Sequence, residues 1–266
     1  MAAAQRLQNK TVLITGASSG IGKETALEFA RAAGGKGLKL ILTARRGDAL
    51  KEVKAAVAKE AGEGIKVHTV VLDVSDRKQV EGLLNNLPAE YKEVDVLVNN
   101  AGLVKGVDQV GSVKPEDIEV MLATNVTGLV AMTQAVLPGM KQRNRGDIIN
   151  IGSIAGRDAY PGGSIYCASK AAVRSFTDAM RRELISTRIR VIEVDPGQVE
   201  TEFSVVRFYG DKEKAKKVYE GCEPLTPEDI AEIVVFAASR RENVVLAESL
   251  VFPNHQAAAT VMHRNT

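Results

Sequence analysis

The chain is poor in the residues that build metal centres and disulfide scaffolds. Its 266 residues include only two cysteines, Cys167 and Cys222, far apart in sequence, which make neither a disulfide framework nor a metal site. Only three histidines are present, none at ligand spacing, so no metal is expected. Tryptophan is absent. There is no charge excess either: 35 Lys+Arg stand against 33 Asp+Glu, for a net charge of +2. Binding to a phosphate backbone needs a basic stripe, so no nucleic-acid partner is expected. No apolar run approaches the ~20 residues that span a bilayer, so no membrane partner is expected. The first ten residues lack the apolar core of a secretory signal, and His263-Arg264-Asn265-Thr266 matches no lipid or peroxisomal address. The expected location is a reducing one, the cytoplasm. No linker and no internal repeat divides the chain, and the expectation is one domain over residues 1–266, with residues 1–9 as a loose N-terminal strap.

The composition that remains is that of a globular protein, 45% hydrophobic and 26% charged. Short, almost continuously apolar runs at 10–15, 38–43, 65–72, 94–98, 147–151, 190–194 and 249–252 read as strands covered on both faces. Helical patterns fill the gaps, among them 50–61, 115–140, 165–185 and 227–238. Pro115-Glu116-Asp117 and Pro227-Glu228-Asp229 place proline and acids in a first turn, as helix starts do. This alternation predicts an α/β fold: a single-domain, Rossmann-like, doubly wound parallel sheet of about seven strands flanked by helices. Residues 198–225 break the rhythm, with a short charged helix at 212–220. An insertion after a late strand is well placed to act as a lid over the crevice at the strands' carboxyl ends.

The first strand runs into Thr15-Gly16-Ala17-Ser18-Ser19-Gly20-Ile21-Gly22, after which a helix begins. Glycines there allow a tight turn and close approach of backbone N–H groups to a pyrophosphate, and the helix N-terminus adds positive dipole. The second strand ends in Ala44-Arg45-Arg46, where an NAD site would carry an acid. A guanidinium grips a 2′-phosphate that a carboxylate would repel, so NADP is the expected cofactor, with Arg45 the first choice and Arg46 the second. The bland reading is that both arginines begin a solvated helix.

Ser153 and Tyr166-Cys167-Ala168-Ser169-Lys170 carry the strongest signal. Tyr166 and Lys170 share a helix face. A phenol titrates near pH 10, and a neighbouring ammonium favours its deprotonated form. Such a tyrosine can take a proton from an alcohol. Alone, a Tyr-x-x-x-Lys pair is usually a helix-surface couple, but Ser153 thirteen residues earlier, Asn125 upstream and the glycine loop reverse that reading. Cys167 is one step round the helix and reads as packing.

Together these segments resemble the short-chain dehydrogenase/reductase family over about residues 10–252. The resemblance implies a catalytic set of Asn125, Ser153, Tyr166 and Lys170. It implies cofactor contacts from Asp73 and Val74 after the third strand, and from Asn99, Ala101 and Gly102 in Asn99-Asn100-Ala101-Gly102. It adds Pro196, Gly197, Val199 and Thr201 in Pro196-Gly197-Gln198-Val199-Glu200-Thr201. Asp195, before that stretch, has no account. The segments 152–170 and 199–204 and the tail Phe252-Pro253-Asn254 are similar to the fungal branch acting on serine, allo-threonine and other 3-hydroxy acids with NADP, whose members are tetrameric and cytosolic. That implies a homotetramer and a small hydroxy-acid or amino-acid substrate. Its carboxylate needs a cation, and Arg157 or Arg207 is expected to supply it, with Tyr209 nearby in the lid. The bland reading of Arg157 is a salt bridge to Asp158 or another acid. A general carbonyl or 3-oxoacyl reductase would share every one of these catalytic residues. A non-catalytic NADP-sensing protein would typically lose the tyrosine or the lysine.

Overall fold

In the computed structural model, which describes residues 2–61 and 64–265, the seven apolar runs form one sheet. Met1 of the expected strap and Thr266 of the terminal tetrapeptide lie outside the described residues. The strands are β1 (Thr11–Thr15), β2 (Lys39–Ala44), β3 (Lys66–Val71), β4 (Val96–Asn99), β5 (Gly146–Ile151), β6 (Ile189–Pro196) and β7 (Glu248–Val251). All pair in parallel, in the order β3-β2-β1-β4-β5-β6-β7. β1 and β6 are buried along their whole length; β1 is a continuous apolar or β-branched run, whereas β6 carries Arg190, Glu193 and Asp195 among its apolar residues.

The residues before β1 are not a loose strap. They form α1 (Ala2–Leu7), whose Leu7 is fully buried and whose Arg6 Nη1 donates to the Ser239 carbonyl at 2.9 Å. Successive side chains of a strand point to opposite faces, so each face of the sheet builds its own core. Val12 and Ile14 of β1 pack with α2 (Gly20–Ala32), α3 (Gly47–Ala61) and, from the far end of the chain, α10 (Pro227–Ala238). Leu13 packs with the other layer, through Val80 and Leu83 of α4 (Arg77–Asn86), Met132 and Val136 of α6 (Leu129–Arg143) and Met180 of α7 (Ser164–Glu183). α10 starts on a capping box: the Thr226 hydroxyl and the Asp229 carboxylate each accept the other's backbone N–H.

The long helix expected at 115–140 is real but not uniform. α5 (Pro115–Leu122) passes through a π-helical turn, Ala123–Gly128, before continuing as α6. Taken end to end, 115–143 is long and apolar enough by composition to cross a bilayer, which corrects the estimate made from continuous runs. Its apolar stripe is used on the sheet, where Met132 and Met140 are fully buried.

At the amino end of the sheet, Asp147 of β5 and Arg190 of β6 are register partners. They form a buried two-pronged ion pair, Nε to Oδ1 and Nη2 to Oδ2, both 2.6 Å. At the opposite, carboxyl end, strand order reverses around β1, which lies between β2 and β4. That reversal opens a crevice between loops leaving in opposite directions. The segment after β6 reaches over it with α8 (Glu202–Arg207) and α9 (Lys212–Lys217).

Candidate active site

The crevice is a cavity of about 580 Å³. One wall is the glycine loop. Gly16 and Gly20 have φ of +66° and +52°, and a Cβ on Gly16 would stand 2.9 Å from Ala101 Cα. A side chain here would close the gap, so the tight turn requires glycine. Gly16, Ser18, Ser19, Gly20 and Ile21 all line the cavity. Gly22 does not; a Cβ there would meet Gly16 O at 2.4 Å, so its role is to let α2 close on the loop. Thr15 is buried behind the wall, its hydroxyl accepting the N–H groups of Asn100 and Ala101 at 3.0 Å each.

Arg45 and Arg46 stand exposed at the end of β2, on the cavity rim. They differ in what they hold. Arg46 Nη2 donates to Ser19 Oγ at 2.6 Å, Ser18 Oγ at 3.2 Å and Glu202 Oε2 at 3.0 Å, tying the rim to α8. Arg45 has no ion-pair partner among the described residues. Asp73 and Val74 continue the wall, with Asp73 Oδ1 accepting from the Ser75 N–H and hydroxyl.

Asn99 is not a lining residue, contrary to expectation. As the last residue of β4 it turns into the sheet, donating to Asn150 Oδ1 at 2.9 Å and Thr133 Oγ1 at 3.0 Å. The next residue points the other way: Asn100 lines the cavity and donates to the Thr15 and Gly16 carbonyls. Ala101 and Gly102 line it as well.

The deep end is built by the turn after β5 and the first turns of α7. Ser153, Tyr166 and Lys170 all reach the cavity and are nearly buried. Ser153 Oγ accepts from the Ala155 N–H at 3.1 Å, which leaves the hydroxyl hydrogen free to donate. The Tyr166 ring meets Phe203 edge-on at 5.5 Å. Burial pushes its phenol far above the ordinary value, with the Ser153 hydroxyl the largest opposing influence. Lys170 Nζ donates to the Ile151 carbonyl at 2.8 Å and stands 6.0 Å from the Tyr166 ring centroid. The expected lowering of the phenol by the ammonium is outweighed here by burial, and the lysine directs its hydrogen bond to the backbone. Burial brings Lys170 itself down to about 8, opposed by the negative charges of Asp195 and Glu193. Asn125 does not line the cavity. From the π-helical turn its amide locks onto Leu103 N and O, both at 2.8 Å, and onto Ser169 Oγ at 3.0 Å.

The roof comes from the chain after β6. Pro196, Gly197, Val199 and Thr201 line the cavity, and so does Arg207. Among the described residues Arg207 holds only neutral groups: the Gly106 carbonyl at 3.2 Å, the Gly162 carbonyl at 3.3 Å and the Tyr160 hydroxyl at 3.4 Å. Two expected substrate contacts fall elsewhere. Arg157 is outside the lining because Asp195 and Glu248 occupy its guanidinium, the bland reading with acids 38 and 91 residues away. Tyr209 points away and donates to Asp117 Oδ2 at 2.6 Å, which pushes its phenol up to about 12. Sequence reasoning missed Tyr160 and Phe203, and also Gln256 and Met262 from the tail after β7, all of which line the cavity. Nothing in a tail without periodicity signals its return to the site.

The family model described as short chain dehydrogenase matches residues 10–209. The chain belongs to that family. It is 55% identical over 259 residues to the NADP-dependent 3-hydroxy acid dehydrogenase of Schizosaccharomyces pombe, covering 97% of this chain and 98% of that one. It is 42% identical over 247 residues to sulfoacetaldehyde reductase 2 of Chromohalobacter salexigens, covering 92% and 95%. A solved serine dehydrogenase in its closed form, complexed with NADP+, superposes with a TM-score of 0.86 at 42% identity, covering 96% of this chain and all of that one.

Proposed function

We propose that this short-chain dehydrogenase oxidises the β-hydroxyl of small 3-hydroxy acids with NADP. The observation that carries this reading is where the cavity's polar and cationic groups stand. Ser153, Tyr166 and Lys170 gather at its deep end, Arg207, without an acidic partner among the described residues, stands in its roof, and a second such cation, Arg45, stands on its rim. The residues fit the cofactor: the glycine loop forms a cradle that side chains would fill, and Arg45 suits a 2′-phosphate. Relatives named for NADP and for 3-hydroxy acids support the same reading.

NADP, when bound, supplies the hydride acceptor. The chain's residues do the rest. Ser153 donates its hydroxyl hydrogen to the substrate oxygen and holds it. Tyr166 takes the proton from that oxygen as general base. To do so it must start as the phenolate, which becomes the phenol as it takes the proton; the buried Lys170 ammonium, 6.0 Å from the ring centroid, favours that starting form by charge attraction against the burial that favours the phenol. Arg207 pairs with the substrate carboxylate. Residues 198–225 act as the lid that brings Arg207 over the site. A sulfonate offers the same charge, which fits the sulfoacetaldehyde reductase relative. The chain is expected to work in the cytoplasm as a homotetramer. Exposed apolar side chains support association with further copies: Leu250 on the edge strand β7, Val245 in the loop before it and Phe236 of α10.

The test is NADPH formation with L-allo-threonine, L-serine and 3-hydroxyisobutyrate, repeated with NAD, beside a panel of ketones and acyl thioesters. Turnover confined to the panel would favour a broad carbonyl or 3-oxoacyl reductase. Arg207→Met is expected to raise the hydroxy-acid KM about tenfold to a hundredfold, the worth of a charge-assisted pair. An unchanged KM would remove Arg207 from the carboxylate site.

A further inference from the structure

Asp195 is a costly residue where it stands. Its carboxylate is 1% exposed, and a buried charge must be paired and hydrogen-bonded. Its two oxygens have separate tasks. Oδ2 takes Arg157 Nε at 2.7 Å and Nη2 at 2.6 Å, and the same Arg157 reaches on to Glu248 of the edge strand β7. Oδ1 is left to accept the backbone N–H of Ser153 at 3.0 Å. The chain is shaped for this contact: a Cβ on Gly152 would stand only 1.9 Å from Asp195 Oδ1, so glycine admits the acid.

We propose that Asp195, braced by Arg157 and Glu248, is a positioning residue for Ser153. It fixes the peptide that starts the Ser153 turn, while the Ala155 N–H fixes the hydroxyl oxygen. Between them they hold the Ser153 oxygen at the cavity, with its hydrogen free to donate there. Glu193, two residues earlier on the same face of β6, is also buried, and its oxygens have no partner among the described residues. Burial first, and then the Asp195 charge, push its carboxyl up to about 8.

The assignment rests on the reading that Ser153 holds the substrate oxygen, so a double-mutant cycle tests it. Asp195→Asn and Glu248→Gln are each made in the natural chain and in Ser153→Ala, and kcat, KM and NADPH binding are measured. In the natural chain, Asp195→Asn is expected to lower kcat about tenfold or more, as small misplacements at a reacting centre do. Glu248→Gln, on the accessible edge strand, should lower kcat by less and keeps the test open if Asp195→Asn fails to fold. NADPH affinity should stay within about twofold, since a positioning role spares the cofactor wall. In Ser153→Ala, neither substitution should lower kcat further. Equal losses in both backgrounds would overturn the assignment and show a merely structural acid. A shifted pH–rate profile with an unchanged plateau would also overturn it, by placing the effect on Lys170. If Ser153→Ala alone leaves kcat intact, the reading of the site itself falls and the assignment with it.

Discussion

Arg45 and Arg46 are neighbours of the same charge, yet the structure gives them unequal work, and this makes cofactor choice a sharp test. Arg46 is already engaged by Ser18, Ser19 and Glu202, whereas Arg45 has no acidic partner among the described residues. A unit-charge pair at 4 Å is worth about 1 kcal/mol in bulk water and about 4 kcal/mol at an effective dielectric constant of 20. Arg45 stands exposed on a rim, between those limits, so about 2 kcal/mol is reasonable for its grip on a 2′-phosphate. Arg45→Ala should therefore raise the KM for NADP roughly 30-fold and leave the KM for NAD, which has no 2′-phosphate, nearly unchanged. Arg46→Ala should cost less, because Arg46 is already shared among Ser18, Ser19 and Glu202. Glu202→Gln should improve NADP binding severalfold, because Arg46 then has no competing carboxylate. Initial rates at fixed hydroxy acid, with each cofactor varied at two ionic strengths, check all three; the NADP advantage must shrink with added salt. Equal losses with NADP and NAD in Arg45→Ala would refute the reasoning.

Two further outcomes follow from buried charges. Lys170, brought down to about 8 from its ordinary 10.5, weakens the fold as pH falls through that window and does so fully below about 8. Lys170→Met should abolish turnover yet raise stability at pH 7 by up to about 3 kcal/mol, with the gain fading towards pH 10; urea melts at both pH values check it. Asp147→Ala leaves the Arg190 guanidinium buried without its acid and should cost about 3–5 kcal/mol in the same assay, with kcat per folded molecule unchanged because the pair lies at the far end of the sheet.

All seven strands were legible in the sequence to within two residues, because each is a short stretch rich in apolar or β-branched residues, even where charges interrupt it as in β6. Elements that draw their stability from distant partners were not. α1 shows no periodic pattern and is held by Leu7 in the core and by Arg6 on Ser239. α8 is one and a half turns long and depends on its cap, with the Thr201 hydroxyl accepting from Phe203 N. The site divides in the same way. Local motifs placed Ser153, Tyr166, Lys170 and the glycine loop at the cavity. Spacing could not choose between Asn99 and Asn100, because facing alternates with each residue and the phase is set by where β4 ends. Nor could it show that Arg157 is held by Asp195 and Glu248, which only the β5-β6-β7 order brings alongside.

The π-helical turn at Ala123–Gly128 has a meaning for how this chain can vary in length. A π turn holds one residue more than the α-helical path it replaces. Deleting one residue from it would leave a regular helix with no break in hydrogen bonding, so the backbone itself would not object. The objection would come from rotation: one residue turns a helix by about 100°. With the Met132 stripe fixed on the sheet, α5 would swing round and carry the Asn125 amide off Leu103 and Ser169. Here a gap that a sequence comparison would place at no cost to helical propensity would dismantle a contact set at the active site. Grafts between this chain and shorter or longer relatives should therefore be cut in the loop around 106–114 and not inside the helix.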